Sequence, residues 1–435
     1  MLKKYFQKHE KWPLVLEIAR GVKKSGGRVL LVGGAVRDAL LKQRGREVEV
    51  KDIDLEVYGL DKGTLKRLLK QIARARHTSV KEVGKQFGVF NLGGIDVAIP
   101  RTESRTRPGM GRKPKVISQP YLSFEQASRR RDLTINALAF DPLTGEILDA
   151  HGGLKDLHRG ILRHVSSATF GDDPLRVLRV MQFAGRFGFK IHSETVKLCR
   201  GITLQHLAKE RVGEEWHKMM MKSPKPSIGL EAGLNLKIFQ KLHPGLARMS
   251  QKDWSTTKRA VDFVAKHSTY NIQHTMPDAA HRETLLFAAL THRLKPEAIR
   301  KFFQQINLPK KQAASVSALV HLSVLPKRLT DEHVRRLAYE LSKAGLSVED
   351  MALLLKALGK NSVGLMNRAK VLQVVNEGPK PLVQGSDLLR LGVKPGKGMG
   401  ELLSKTFEEQ LKGHFDDKKH RPQKKSALAW IEAKI

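Results

Sequence analysis

Apolar and polar positions in the first third of the chain follow two different spacings, which predict a mixed α/β region. Residues 12–22 repeat at a helical period, and a short apolar run at 29–32, after the Gly26-Gly27 turn, predicts a buried strand. By the same criteria, helices are predicted at 35–41 and 63–75, and strands at 48–58, 88–92, 95–99, 137–141 and 146–149.

Beyond about residue 153 the pattern becomes helical almost throughout. Helices with a 3.6-residue period are predicted at 174–187, 192–199, 211–221, 282–291 and 313–322. Residues 101–120 are rich in Arg, Lys, Gly and Pro and show little periodicity, which predicts a mobile basic loop. The sequence therefore predicts an α/β N-terminal part followed by a long all-α part, without an internal repeat.

The charge of the chain indicates its kind of partner. The 435 residues are too many for one typical core, so several domains are expected. Lys and Arg number 79 against 43 Asp and Glu, a net charge of +36, which favours a polyanionic partner. An anionic membrane is the rival partner, but no apolar stretch of roughly 18 residues is present, so no membrane is expected. A basic surface that serves only solubility is the other alternative.

Cysteine content and the first residues bound the cellular setting. Cys199 is the single cysteine, which excludes a disulfide within the chain and a cysteine-rich zinc site. The first residues lack the apolar core of a signal peptide, so the cytoplasm is the expected location. The sequence carries no signal of oligomeric state.

Residues 50–57 alternate between polar and apolar, which predicts a strand with one acidic and one buried face. Asp52, Asp54 and Glu56 share the acidic face. Close carboxylates repel one another unless a cation lies between them, and Mg²⁺ prefers oxygen ligands. Asp96 lies on a second alternating segment and would join the first two if the strands are neighbours. The alternative interpretation is the polar outer face of an edge strand.

A glycine turn precedes this acidic segment. Gly33 and Gly34 follow the predicted strand at 29–32 and open a helix, so their backbone N–H groups can cradle a phosphate. Arg37 lies one turn into that helix. An ordinary turn without a ligand is the alternative interpretation.

Together these residues resemble the nucleotidyltransferase superfamily that includes DNA polymerase β. Residues 33–38 followed by 52–54 are similar to the first motif of its bacterial tRNA nucleotidyltransferase and poly(A) polymerase branch. Further segments follow in family order: 130–138 resembles the motif for ribose and phosphates, 151–157 the hinge, 171–179 the nucleobase-reading motif and 210–215 the last neck motif. These motifs cover about half of the chain.

The resemblance, to class II of that family, carries implications for fold and activity. It implies an α/β nucleotidyltransferase (polymerase-β-like) head at 1–150, then an elongated all-α neck at 151–225, body at 226–330 and tRNA-binding tail at 331–435. It implies template-independent addition of C, C and A to tRNA from CTP and ATP, with release of pyrophosphate and a two-ion Mg²⁺ site. The implied catalytic residues are Asp52, Asp54 and Asp96, the first two as metal ligands. The implied nucleotide-binding residues are Gly33, Gly34, Arg37, Arg131, Asp132, Asn136, Asp173, Arg176 and Arg179.

Asp173 and Arg176 are three residues apart on one helical face and could read a base together. Cytosine and adenine both present an amino donor beside a ring-nitrogen acceptor, which a carboxylate and a guanidinium complement. Uracil and guanine present the reverse order and would leave buried groups unpaired. The alternative is structural, because Asp173 before Pro174 is a good helix N-cap and Arg176 could be a simple salt-bridge partner.

Several positions depart from the family pattern. Asp172 stands where Glu is usual, Gln182 where some members carry another arginine, and Ala127 where an acid is common. Residues 285–294 resemble a decayed His-Asp metal motif in which Arg293 replaces the aspartate, so phosphohydrolase activity is not expected. Residues 384–389 and 391–400 resemble the family's tail, which implies tRNA contact there; a plain loop is the alternative.

Alternatives to the complete reaction remain open at this point. The chain could add only CC or only A, could be a poly(A) polymerase, or could be a tRNA-binding protein with an inactive site. The basic segment 101–120 is the region that distinguishes the partial enzymes, and its presence favours the complete reaction.

Overall fold

The computed structural model describes residues 2–50, 52–83, 88–104, 115–268, 279–417 and 419–435. The chain forms two compact units, Met1–Leu204 and Gln205–Ile435. The predicted four-domain division, with boundaries after residues 150, 225 and 330, stays a prediction. The helices predicted at 174–187 and 192–199, which the resemblance assigns to the neck, fold with the α/β part in the first unit.

The first unit alternates helices and strands. In chain order its elements are α1 (Lys3–Gln7), α2 (Trp12–Lys24), β1 (Arg28–Val32), α3 (Gly34–Gln43), β2 (Asp54–Tyr58), α4 (Lys62–Ala75), β3 (Val80–Val83), β4 (Val89–Leu92), β5 (Ile95–Ala98), β6 (Arg101–Ser104), β7 (Lys115–Ser118), α5 (Phe124–Ser128), β8 (Ala139–Phe140), β9 (Ile147–Leu148), α6 (Gly153–Arg159), β10 (Ile161–Leu162), α7 (Ser167–Phe170), α8 (Leu175–Phe187), β11 (Lys190–Ile191) and α9 (Ser193–Gly201).

The second unit is helical throughout the residues that the structure describes. Its helices are α10 (Lys209–Lys222), α11 (Pro226–Asn235), α12 (Ile238–Leu242), α13 (Pro244–Ala247), α14 (Gln251–His267), α15 (Ala279–Thr291), α16 (Pro296–Gln305), α17 (Lys310–Leu322), α18 (Asp331–Lys343), α19 (Val348–Ala357), α20 (Val363–Val371), α21 (Gly385–Arg390), α22 (Lys397–Lys412) and α23 (Lys424–Glu432). The predicted fold class, α/β and then all-α, is confirmed.

The main sheet places β1 and β2 near its centre, in the order β3-β4-β5-β2-β1-β8-β9. β1 pairs antiparallel with β2, so that Val32 faces Asp54. β2 pairs parallel with β5, so that Asp54 faces Asp96. The expectation that the strands of Asp54 and Asp96 are neighbours is therefore confirmed.

The strand predicted at 48–58 is shorter than expected, because β2 begins only at Asp54. Its antiparallel partner β1 ends at Val32, and the chain then turns into α3. Residues 52 and 53 consequently have no ladder partner on that side, and residue 52 lies in an irregular segment. Burial still alternates there, since Asp52 is exposed and Ile53 is buried.

The segment predicted as a mobile loop at 101–120 contains a β-hairpin. β6 and β7 pair antiparallel from Arg101 opposite Ser118 to Ser104 opposite Lys115. The prediction is wrong for these flanks, and residues 105–114 lie outside the described part of the chain. β3, which pairs with β4, was not predicted at all.

The helical predictions of the second unit hold to within a few residues. The helices predicted at 211–221, 282–291 and 313–322 correspond to α10, α15 and α17. Burial along α15 is nearly continuous from Glu283 to Thr291, because α14, α17 and α19 pack around it. Across the described residues, we find no helix with the length and apolar character needed to span a membrane.

Candidate active site

The carboxylates of Asp54 and Asp96 lie side by side at the N-terminal end of β2. Desolvation raises the pKa of Asp54, and the nearby charges of Asp96 and Asp52 raise it further, against the opposing charge of Arg131. Asp52 thus lies close enough to interact with Asp54, although it is outside the strand. The three predicted acids share one region of the first unit.

Two adjacent carboxylates, of which Asp54 has a raised pKa, are a place where a divalent cation would relieve repulsion. Asp96 also accepts a hydrogen bond of 2.6 Å from the Asn91 amide. Among the described residues, we find no group of three or more His, Cys, Asp or Glu side chains arranged to hold a metal ion. The donor set fits Mg²⁺ in its chemistry, since all its ligands are oxygen atoms.

The glycine turn adjoins these carboxylates through the sheet register. Gly33 directly follows Val32, which faces Asp54 across the ladder. Gly33 has a φ of +73°, and a Cβ atom there would lie 3.2 Å from the Arg131 guanidinium. The Gly33 turn, the Asp54 carboxylate and Arg131 are therefore neighbours. The positive φ and the close approach of Arg131 both favour glycine at position 33.

Arg37 lies beneath this turn rather than on its outer side. It is only 4% exposed, and burial lowers its pKa while Asp38 opposes that shift. Its guanidinium donates to the Asp38 carboxylate at 2.8 Å and to the Asn136 side-chain oxygen. The predicted phosphate contact by Arg37 stays a prediction, and the structure gives this residue a supporting position under the turn.

Asp132 joins the second motif to helix α8. Its carboxylate accepts hydrogen bonds from the Asn136 amide at 2.9 Å and from the Arg179 guanidinium at 2.7 Å. Burial opposes its ionisation, but Arg179 and Asn136 outweigh burial and hold the pKa of Asp132 below its usual range. Because Asn136 also binds Arg37, one hydrogen-bonded network includes four of the predicted nucleotide-binding residues.

Asp173 and Arg176 lie at the start of helix α8. The Asp173 carboxylate accepts the Leu175 N–H at 3.2 Å, as the structural interpretation expects. Arg176 is buried and donates to the main-chain oxygens of Thr169 at 2.7 Å and Arg130 at 2.5 Å. A guanidinium has five N–H donors, so these two bonds fix its orientation without using all of its donors.

Sequence reasoning missed several residues of this site. Phe183 and Phe187 have nearly parallel rings 5.6 Å apart, and the Arg37 guanidinium lies 5.0 Å from each ring centre. Arg186 lies over the Phe187 ring at 4.9 Å and reaches the carboxylate of Asp38 at 3.4 Å. Aromatic residues four apart on a helix that carries arginines were the available signal.

The second unit carries the decayed metal motif at the end of α15. Arg293 pairs with Asp253 at 3.1 Å, and burial lowers the pKa of His292. The Arg293 guanidinium therefore takes the place of the aspartate in the His-Asp motif, and it is paired with a carboxylate. Other histidines of the chain, such as His274 and His281, are expected from the sequence to be polar surface residues rather than metal ligands. His281 pairs with Asp350 at 2.8 Å, and His274 lies outside the described residues.

Comparison with protein families matches three parts of the chain. The poly A polymerase head domain matches residues 29–163, the probable RNA and SrmB-binding site of polymerase A matches 188–249, and tRNA nucleotidyltransferase domain 2 matches 279–421. These segments extend over both compact units.

Similar proteins include two curated bacterial relatives. The "Multifunctional CCA protein" of Haemophilus ducreyi is 31% identical over 365 residues, which covers 80% of this chain and 80% of that protein. The protein of the same name from Nitrosococcus oceani is 42% identical over 201 residues, and the match spans 45% of each chain. The Thermotoga maritima CCA-adding enzyme, solved in complex with tRNA, has the same fold, with a TM-score of 0.69, 20% identity, and coverage of 100% of this chain and 98% of that one.

Proposed function

This chain belongs to the bacterial CCA-adding family of tRNA nucleotidyltransferases, and we propose that it adds C, C and A to the 3′ end of tRNA from CTP and ATP. The observation that carries the proposal is the position of Asp54 and Asp96 beside the Gly33 turn. Acidic residues next to a phosphate-binding turn are what nucleotide transfer requires.

In the proposed reaction the 3′-hydroxyl oxygen of tRNA attacks the α-phosphorus of the nucleotide. The bond from that phosphorus to the bridging oxygen breaks, pyrophosphate leaves, and the hydroxyl proton passes toward the carboxylates. Asp52 and Asp54 would hold Mg²⁺, with Asp96 beside them; a two-ion site would supply Lewis-acid stabilisation of charge on the phosphoryl oxygens. Divalent metals are general in this family of enzymes.

The triphosphate is proposed to lie on the Gly33-Gly34 turn at the start of α3, where the first N–H groups of the helix have no acceptor within the helix. The Gly33 N–H itself donates to the Leu138 oxygen at 3.3 Å. Arg131 and Arg179 supply positive charge on its outer side. Asp132 accepts hydrogen bonds from Asn136 and Arg179 and so holds these two side chains in place before the nucleotide arrives. Arg37 adds its charge from beneath the turn. This prior positioning lowers the cost of reorganisation during the reaction.

Selection between bases is proposed for Asp173 and Arg176. Two main-chain oxygens hold Arg176 in one orientation, which supports its use as a fixed donor to a ring nitrogen. Asp173 would accept from the amino group that cytosine and adenine share. UTP and GTP would then leave buried polar groups unpaired.

The test is Mg²⁺-dependent incorporation of labelled CTP and ATP, singly and together. The primers are a tRNA that ends before the first C, a tRNA that ends after CC, and poly(A). We expect the first tRNA to gain C, C and A when both nucleotides are present. Products that stop after CC, or extension only of the CC-ended tRNA, would indicate a partial enzyme. Runs of A on poly(A) would indicate a poly(A) polymerase, and no incorporation a binding protein.

A further inference from the structure

Glu56 is a buried carboxylate in the middle of β2, and the reaction proposed above gives it no role. It is 3% exposed and lies in register between Leu30 of β1 and Ala98 of β5. A carboxylate removed from water is costly unless it is paired and hydrogen-bonded. The identity of its partners therefore decides what this residue can do.

Two side chains pair with the two oxygens of this carboxylate. The Tyr58 hydroxyl donates to Glu56 Oε2 at 2.7 Å, and the Arg130 guanidinium donates to Glu56 Oε1 at 3.1 Å. Tyr58 is on the same strand, whereas Arg130 is 74 residues away in the sequence, in the segment Arg130-Arg131-Asp132. The ion pair thus ties the segment at 130–132 to the strand that begins with Asp54.

The same arginine makes a second contact through its backbone. The main-chain oxygen of Arg130 accepts the 2.5 Å hydrogen bond from Arg176, and the Thr169 oxygen accepts the other. The Thr169 hydroxyl in turn donates to the Arg129 oxygen at 3.0 Å. Both acceptors that orient the Arg176 guanidinium are therefore attached to the segment that Glu56 holds.

We propose that Glu56 is a positioning residue for nucleotide selection: by pairing with the Arg130 side chain it fixes the Arg130 carbonyl, which orients Arg176 toward the base. This inference rests on the proposed role of Arg176 in reading the base. Hydrogen bonds weaken steeply when donor and acceptor are misaligned, so a small rotation of the guanidinium reduces discrimination before it reduces turnover. Glu56 acts through other residues and touches no substrate.

The first variant is Glu56→Gln, which keeps the shape of the side chain and one acceptor oxygen but removes the ion pair. The measurement is kcat/KM for CTP and for UTP on a tRNA that ends before the first C. We expect the CTP/UTP ratio to fall by about 10-fold or more, the value of one charge-assisted hydrogen bond. Incorporation of CTP itself should stay within about 10-fold of the wild type.

Tyr58→Phe is the matched control. It removes the other hydrogen bond to the same carboxylate and leaves the bond from Arg130 in place. A purely structural role predicts that both variants lose thermal stability and that neither changes the CTP/UTP ratio. The proposal predicts that the ratio changes in Glu56→Gln and is retained in Tyr58→Phe.

Arg130→Met tests the pair from its more accessible side, since the Arg130 side chain is 20% exposed. It carries the same expected fall in the ratio and decides the question if Glu56→Gln does not fold. Two partners in one contact have non-additive effects, so the double variant should match the single variants. Effects that multiply in the double variant would overturn this inference alone, and so would an unchanged CTP/UTP ratio in the variants when the wild type prefers CTP. A wild type that uses UTP as well as CTP would instead overturn the proposed base reading.

Discussion

Gly33 occupies a backbone conformation and a space that both exclude a side chain. Its φ is +73°, and a Cβ atom would approach the Arg131 guanidinium to 3.2 Å. Because its ψ of −130° completes a backbone conformation that is essentially restricted to glycine, we expect Gly33→Ala to cost about 1–3 kcal/mol of folding free energy. It should also raise KM for CTP and ATP by about 10-fold, because the displaced turn and Arg131 would no longer meet the phosphates.

Gly145→Ala is the control for this prediction. Gly145, between β8 and β9, also has a positive φ, +82°, but no atom lies within 4 Å of the point that a Cβ atom would occupy. The control should also lose stability in a thermal unfolding experiment, because its φ is positive, and keep the KM values of the wild type. Equal KM values for the two variants would show that the Gly33 turn does not hold the nucleotide.

At the residue scale, alternation was sufficient to place two of the acids. It predicted that Asp54 and Asp96 would converge if their strands were neighbours, and the sheet makes them neighbours. It failed to show that Asp52 precedes the strand, because the end of the partner strand at Val32 is a tertiary fact. It also gave no sign that Arg37 would be buried, since the rings that cover it are about 150 residues away in the sequence.

Helix α8 carries two sets of contacts along its length. Its N-terminal end presents Arg176 to the Arg130 segment, and its C-terminal end stacks Phe183 and Phe187 against Arg37. The helix thus joins the proposed base-reading residues to the side chains that support the proposed phosphate-binding turn. A rigid element that spans both sites explains how base and triphosphate could be positioned together.

We expect Phe183→Leu to raise KM for CTP and ATP several-fold and equally. The Phe183 ring faces the guanidinium of Arg37 at 5.0 Å and that of Arg179 at 5.2 Å. Its loss should cost roughly 2 kcal/mol of folding free energy, from a smaller side chain and lost cation–π contacts. Steady-state kinetics and thermal unfolding measure the two effects.

Phe239→Leu serves as the comparison, because Phe239 is a fully buried ring of the second unit that stacks on Trp216 and Trp254. It should lose comparable stability with unchanged nucleotide KM values. If Phe183→Leu lost stability while its KM values for CTP and ATP stayed unchanged, the Phe183 ring would contribute only to the packing of α8.

Elements with strong periodicity were predictable from the sequence, and weakly patterned ones were not. The helices at 63–75 and 174–187 were located to within one residue at each end, because their apolar positions recur at helical spacing. The β6–β7 hairpin was missed, because its two four-residue strands lie in a segment, 101–120, that is rich in Arg, Lys, Gly and Pro, and their pairing depends on the other strand rather than on local pattern.

The net charge of the whole molecule, +36, predicts how the proposed binding to tRNA depends on salt. Neutralising phosphates releases counterions, so binding should weaken steeply with salt. Between about 50 and 200 mM salt we expect tRNA affinity to fall on the order of 10³-fold, if several phosphates are contacted. KM for CTP should change much less, because its contacts are few. A nearly flat salt dependence of tRNA binding would contradict the polyanion interpretation.

The most direct test of the account is Mg²⁺-dependent CMP incorporation by Asp54→Asn into a tRNA that lacks its CCA end. Asp61→Asn is the control, because Asp61 caps α4 in the same unit and asparagine can cap a helix equally well. We expect Asp54→Asn to bind tRNA and unfold like the wild type but to lose on the order of 10³-fold in rate, with Asp61→Asn unaffected. Incorporation by Asp54→Asn at the wild-type rate would contradict the assignment of this carboxylate to the reaction.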